Sequence, residues 1–257
     1  MKVVIIGSGN VATVLGNKIA GAGHEIVQVA GRNAEKVSSL ACSLKTACTT
    51  NLFDINLLAD VYLIAVTDAA IEKIASILKL NNQLVLHTAA SVSKEILAIC
   101  STQYGILYPL QTFTAGFVTS SSIPLLIDGN NQEVKEKVES LALTLSDDVS
   151  FVNDEQRLHY HLAAIFVNNF TNHLFAIANE FCTIKGLNFN ILEPLLDETI
   201  LRVKKQSPAT VQTGPARRGD EGTISKHQAL LKDNLEMLDL YNCLTMSIRR
   251  YYEGKNI

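Results

Sequence analysis

An open, mostly parallel α/β sheet followed by an all-helical second half is the fold class this sequence predicts. Three observations carry that expectation. Short apolar runs alternate with helical patterns from Val3 to Val152. One of them, Val61–Val66 (VYLIAV), is apolar throughout, as a parallel strand covered on both faces requires. Beyond Asn153 the strand signals stop, so the expected domains are residues 1–152 and 153–257.

The first element is the most informative. Val3–Ile6 stops at Gly7-Ser8-Gly9, and a helical pattern begins at once with Val11, Ala12, Val14 and Leu15. The spacing is G-x-G-x-x-A, with Ala12 in the third place. Gly7 permits the turn, Gly9 lets a pyrophosphate approach the backbone, and Ala12 lets the helix lie close on the strand. Amides at the helix start then face the phosphates. A tight turn with no ligand uses the same triplet, but the strand before it and the helix after it favour a dinucleotide. Gly7, Ser8, Gly9, Asn10, Val11 and Ala12 are the expected pyrophosphate site of a Rossmann domain.

Glu25–Ala30 reads as the second strand. Enzymes that prefer NAD place an acidic residue near this strand's end to bond the ribose hydroxyls. Here the end is Ala30-Gly31-Arg32-Asn33; Glu25 comes too early and Glu35 lies beyond the turn. Arg32, with Asn33, suits a 2′-phosphate, so NADP is the expected coenzyme. The alternative for Arg32 is a solvated surface side chain.

A helix over Ala34–Leu44 and a short strand over Thr49–Phe53 follow. Val61–Val66 ends in Thr67-Asp68, with Asp68 as the expected cap of a helix to Leu80. Strand Gln83–His87 runs into Thr88-Ala89-Ala90-Ser91. Ligands in open α/β sheets sit beyond the carboxyl ends of strands, which places Thr67, His87 and Thr88 at the nicotinamide end. A buried structural histidine is an equal reading of His87. Ser91 is the expected cap of a helix over Val92–Ile99. Gly105–Tyr108 leads to a lid-like loop, Pro109–Phe113. Ile123–Ile127, a helix over Asn131–Leu145 and strand Val149–Val152 complete the half, and Pro124 argues for an edge position.

The second half opens with one long helical pattern, Asp154–Thr183, apolar nearly all round. At 100° per residue Arg157, His161, Asn168 and Asn172 share a stripe about 60° wide. Four polar groups in a row on an otherwise apolar helix need partners, and a substrate cleft supplies them; hydrogen bonds between helices, or solvent, are the alternative. His161 is the leading catalytic candidate, because imidazole exchanges protons near neutrality, with Asn168 to orient a carbonyl or imine. Helices are expected over Asn190–Lys205 and Ser225–Glu253. The loop between them, Thr213–Thr223, is rich in glycine and charge. It reads as a linker or, with Arg218 and Asp220 paired and Thr223 capping the next helix, as one wall of the cleft.

Composition narrows the classes. A net charge of −3 offers no electrostatic case for nucleic acid or an anionic membrane. No stretch is apolar for long enough to span a bilayer, and Gly7–Asn10 interrupts the only N-terminal apolar run. Five scattered cysteines without C-x-x-C spacing point to no metal site and to reduced thiols in a cytoplasmic protein.

GSGNVATVLG, VAGRN, LIAVTD, LHTAAS, YPLQTF, YHLAAIFVNNF and TGPARRGDEGTISKH follow one another in this order. In this the chain resembles, over nearly its whole length, a bacterial family of NADP oxidoreductases with a Rossmann-like domain and a helical domain of unknown function. That family is akin to pyrroline-5-carboxylate reductases and to 6-phosphogluconate and 3-hydroxyacid dehydrogenases. The resemblance implies hydride transfer between NADP(H) and a small carbonyl or imine compound, and a homodimer formed through the helical domain. Two departures keep the substrate open. The lysine and following asparagine of 3-hydroxyacid dehydrogenases are missing, since Ile165 stands four residues after His161, and no proline- and glycine-rich segment lies around Asp154–Thr171. A coenzyme sensor without turnover, and a reductase with a deazaflavin as hydride partner, are the rival functions.

Overall fold

The computed structural model describes residues 1–114 and 122–254. Its centre is an eight-stranded sheet: β1 (Lys2–Ile6), β2 (Glu25–Ala30), β3 (Ala47–Thr49), β4 (Val61–Ile64), β5 (Leu84–His87), β6 (Gln103–Pro109), β7 (Leu125–Gly129) and β8 (Val149–Phe151). The order is β3-β2-β1-β4-β5-β6-β7-β8. Every pairing is parallel except β6 with β7. The chain reverses direction of build between β1 and β4, and this switch point is where such sheets take their ligand.

Alternation along β1 explains its unbroken apolar run. Val3 and Ile5 join a core on one face of the sheet with Ala12, Leu15 and Leu63. Val4 and Ile6 join the opposite core with Tyr62, Ile64, Ile71 and Val85. Each such side chain, fully buried, contributes about 1.5–3 kcal/mol. The covering helices are α1 (Asn10–Gly21), α2 (Ala34–Ser43), α3 (Asp68–Ile77) and α4 (Gln132–Leu143). Asn33 and Asn131 cap α2 and α4 by accepting from Lys36 N and Val134 N.

Several expected details change. Pro124 does not mark an edge: it precedes the first residue of β7, which lies between β6 and β8, so no ladder donor is lost. The third strand ends at Thr49, and a 3₁₀ turn occupies Leu52–Asp54. Thr67, not Asp68, stands at the cap position of α3, and Asp68 instead accepts from Ser91 Oγ. The segment after β5 is a 3₁₀ helix, Lys94–Ile99, capped by Ser93 and not by Ser91.

The chain divides into two compact units, Met1–Val167 and Asn168–Ile257. Helix α5 (Asp154–Ala164) therefore belongs to the unit that holds the sheet. It starts at a capping box, in which Asn153 accepts from Gln156 N and Gln156 Oε1 accepts from Asn153 N. A π-helical turn, Ile165–Phe170, follows it. The second unit holds α6 (Thr171–Ile184), α7 (Glu193–Lys205), the single turns α8 (Pro208–Val211) and α9 (Pro215–Arg218), α10 (Glu221–Leu231) and α11 (Leu235–Tyr252). The one helix expected over Ser225–Glu253 is thus two, divided where Asn234 accepts from Met237 N to cap α11. No helix among the described residues is long and apolar enough to cross a membrane.

Candidate functional site

The turn after β1 is built so that only glycine fits its first position. Gly7 has φ +135°, and a Cβ there would stand 2.0 Å from the Ala65 carbonyl oxygen at the end of β4. Its N–H donates to Ala30 O at 2.7 Å, fastening the turn to β2 as well. Gly9 is different. Its backbone is ordinary and extended, and a Cβ would meet nothing within 4 Å. The space it leaves is open, at the start of a helix with no side-chain cap. The first amides of α1 therefore lack intrahelical acceptors and face that space, which is what a pyrophosphate needs. Ala12 is wholly buried against the sheet. Asn10 also anchors a neighbouring loop, since its Nδ2 donates to Phe113 O at 2.7 Å and ties the segment after β6 to the start of α1. Ser8 is half-buried and Val11 partly so.

At the end of β2, Arg32 is exposed, and among the described residues its guanidinium has no hydrogen-bond or ion-pair partner. Asn33 is not equally free, because its Oδ1 is spent on the α2 cap. No carboxylate belongs to the turn Gly31–Asn33. A positive group with no partner among the described residues, in a turn that carries no carboxylate, suits a phosphate on the ribose better than free ribose hydroxyls.

Beyond β4 and β5 the loops are locked together. Thr67 is exposed, and Thr88 is buried with its N–H on Ile64 O. Arg157 of α5, with no exposed surface, donates from Nε to Ala89 O and Ala90 O, both at 3.1 Å, and from Nη2 to Val92 O. Its Nη1 meets Asp154 Oδ1 at 2.8 Å. Asp154 also accepts from Ser93 Oγ and from Lys94 N at 3.3 Å. Burial alone would raise the Asp154 carboxyl, but the Ser93 hydroxyl and Arg157 outweigh it and hold it below the usual range. Arg157 is thus a clasp on the loop after β5 and not a member of a cleft-facing stripe.

His87 is buried beneath that clasp. Its Nδ1 accepts from Ala89 N at 3.1 Å, which puts the ring proton on Nε2. Nε2 closes no hydrogen bond among the described residues, although the nearby Ser93 backbone favours the charged form. Burial, and then the Arg157 charge, push its pKa down to about 4. At neutral pH His87 is an uncharged imidazole and no proton donor of consequence.

Tyr108, at the end of β6, is a residue that sequence motifs alone pass over. Its hydroxyl lies 3.1 Å from His161 Nδ1, with the rings edge to face. Burial raises the phenol pKa; Arg157 works against this and Asp68 adds to it. Its signals in the sequence were its place before Pro109 at a strand end and its position at the head of the YPLQTF segment.

The remaining candidates belong to the second unit. The π-helical turn interrupts the 100° spacing on which the polar stripe rests; Asn168 lies inside the turn and Asn172 after it. Arg218 ends α9 and is exposed, with no ion pair to Asp220 among the described residues. Asp220 instead caps α10, accepting from Thr223 N at 3.0 Å and Thr223 Oγ1 at 2.8 Å. The expected roles of Asp220 and Thr223 are therefore exchanged, because Gly219 in the left-handed region ends α9 and aims Asp220 at the next helix. In the helical unit a groove of about 680 Å³ is lined by Leu174, Ile177, Phe181, Leu231, His227 and Tyr241. Its walls are almost wholly apolar, and phosphates need the N–H donors of the glycine turn instead. The described residues contain no cluster of His, Cys, Asp or Glu that could hold a metal ion.

Strand order, switch point and glycine turn together define the nucleotide-binding Rossmann class. Residues 2–91 match the family described as "NADP oxidoreductase coenzyme F420-dependent", and residues 123–248 match the "Domain of unknown function (DUF2520)". A Bacteroides fragilis protein assigned as an NADP oxidoreductase is 36% identical over 97% of this chain and 98% of its own, with a TM-score of 0.90. The chain belongs to this family of NADP oxidoreductases, in which the nucleotide domain is followed by the DUF2520 region. Protein TM1727 of Thermotoga maritima is 20% identical over 98% of this chain and all of its own, with a TM-score of 0.80. An imine reductase of Myxococcus stipitatus in complex with NADP+ is 15% identical over 99% and 95%, with a TM-score of 0.68. At those two identities the likeness is one of fold. No curated protein matches the chain.

Proposed function

We propose that the protein is an NADP(H)-dependent reductase acting on a small carbonyl or imine compound. The observation that carries this reading is the pairing of an open, uncapped helix start at Gly9 with an exposed Arg32 at the end of β2 that has no partner among the described residues. When bound there, NADP(H) supplies or takes up a hydride at its nicotinamide ring. Gly7, Ser8, Gly9, Asn10, Val11 and Ala12 hold the pyrophosphate through backbone amides. Arg32 binds the 2′-phosphate, with Asn33 beside it shaping the turn. Thr67, His87 and Thr88 line the nicotinamide end, His87 as an uncharged ring fixed by Ala89. His161 supplies the proton that accompanies the hydride, and Asn168, Arg218 and Asp220 belong to the substrate side. Family membership and the fold likeness to an imine reductase that holds NADP+ support the choice of chemistry.

In this reading residues 1–152 serve the coenzyme, and residues 153–257 serve substrate and dimerisation. The second role is supported by large apolar side chains left exposed in the helical unit, among them Ile191 at 75% and Leu235 at 68%. Sedimentation of the full chain should give a dimer; a monomer at all concentrations would remove that part. The description of the matched family favours a second reading, in which a reduced deazaflavin is the hydride partner. The test is to mix the full chain with NADPH and, in turn, 1-pyrroline, cyclohexanone and an oxidised deazaflavin, following NADPH absorbance. Oxidation with the imine or ketone supports the first reading and oxidation with the deazaflavin the second. Tight NADPH binding without oxidation by any of the three would favour a sensor.

A further inference from the structure

Strand order places Tyr108 at the carboxyl end of β6, beside β5 and then β4. Asp68 begins α3 after β4, Arg157 grips the loop after β5, and Tyr108 itself ends β6. The phenol thus lies among the carboxyl ends of three adjacent parallel strands, on the side of the switch point that takes the nicotinamide half of a dinucleotide. Behind it stands His161, partly exposed in the last turn of α5, with Nδ1 at 3.1 Å from the hydroxyl. The contact has two states. A neutral His161 with a bare Nδ1 accepts the Tyr108 proton and occupies it. A His161 that carries hydrogen on Nδ1 donates to Tyr108 Oη, and the phenol O–H is then free to point elsewhere.

We propose that Tyr108 is the catalytic proton donor of this site and that His161 is the positioning residue that charges it; the proposal rests on the coenzyme reading above. As the substrate carbon accepts the hydride, the π pair of its C=O or C=N bond moves onto the heteroatom. That heteroatom takes the proton of Tyr108, whose O–H bond breaks. Tyr108 Oη takes the Nδ1 proton of a doubly protonated His161, which is left as neutral imidazole and regains a proton from water. The balance is one hydride and one proton added across the double bond. Burial keeps Tyr108 in its protonated form between turnovers. His87 cannot serve in its place, because it is buried and uncharged at neutral pH.

The test reads His161 directly. In the full chain with ring-¹⁵N histidine, the His161 signal is assigned by its loss in His161→Asn and titrated with saturating NADP+ and with saturating NADPH. The two coenzyme forms differ by one positive charge on the nicotinamide ring, so a dyad at the reacting end must feel the difference. The His161 midpoint should be lower with NADP+ by about half a pH unit or more. Equal midpoints with both coenzymes bound would overturn the proposal and leave the coenzyme reading standing. If neither coenzyme changes any signal, the coenzyme reading fails and takes the proposal with it. With 1-pyrroline or cyclohexanone as probe, Tyr108→Phe should lower kcat about 100-fold while the KM for NADPH stays within about threefold. Unchanged kcat would equally overturn it, and where neither probe is turned over the titration alone decides.

Discussion

The carbonyl oxygen of Ala65 lies 2.0 Å from the point where a Cβ on Gly7 would stand. The end of β4 therefore closes directly onto the turn after β1, and the two strands flanking the switch point share one tightly packed backbone junction. Gly9, two residues on, has no such neighbour. This contrast separates a glycine the fold requires from a glycine whose packing the fold leaves open.

Substitution at the two positions should separate accordingly. Gly7→Ala, with both a clash and a positive φ, should destabilise the protein by about 3 kcal/mol or more, read by chemical denaturation. Gly9→Ala should leave the melting temperature within about 3 °C, yet weaken NADPH binding about tenfold or more, read by coenzyme fluorescence. If Gly9→Ala binds NADPH as the parent does, the pyrophosphate does not lie on that turn.

The Arg157 clasp makes a second prediction. Its guanidinium satisfies three carbonyls of the loop after β5 and the Asp154 carboxylate, with no surface exposed. Arg157→Met leaves that carboxylate and those carbonyls without their donors and should cost about 3–5 kcal/mol. Arg157→Lys keeps the charge but not the fork, and should recover only part of the loss. Equal stability of Arg157→Met and the parent in urea denaturation would contradict the clasp.

His87 predicts a pH dependence of stability. Its folded-state pKa of about 4 lies below the ordinary 6.5. Between those values the unfolded chain binds a proton that the folded chain refuses, so stability falls as pH falls through this window and the effect is complete below about 4. The full loss is about 3 kcal/mol. His87→Asn retains an acceptor for Ala89 N, so its stability should depend less on pH between 6.5 and 4. An unaltered pH slope in that variant would contradict a neutral buried ring.

The parallel half of the fold was readable because its determinants are local. Val3–Ile6 and Val61–Val66 are apolar at every position since both faces of the sheet are covered, and Gly7 marks the turn without help from distant residues. The site was readable only in part. Arg157 and His161 looked alike on a helical wheel, yet one is a buried clasp and the other a partner of Tyr108, because what each meets belongs to β5 and β6. The wheel also assumed 100° per residue through Ile165–Phe170, where the backbone is π-helical. Asp220 and Arg218 were paired by proximity in sequence; the left-handed Gly219 between them turns the carboxylate into a helix cap. Ser93 and Thr67 stand at the cap positions expected of Ser91 and Asp68, which instead bond each other across two loops.

The most direct test of the coenzyme assignment is a pair of affinities, for NADPH and NADH, measured on the parent protein and on Arg32→Glu by fluorescence titration. The parent should bind NADPH more tightly by about tenfold or more, the worth of a charge-assisted bond to phosphate, and Arg32→Glu should remove or reverse that preference without weakening NADH to the same degree. Equal affinities in the parent, or a preference that survives the charge reversal, would contradict it.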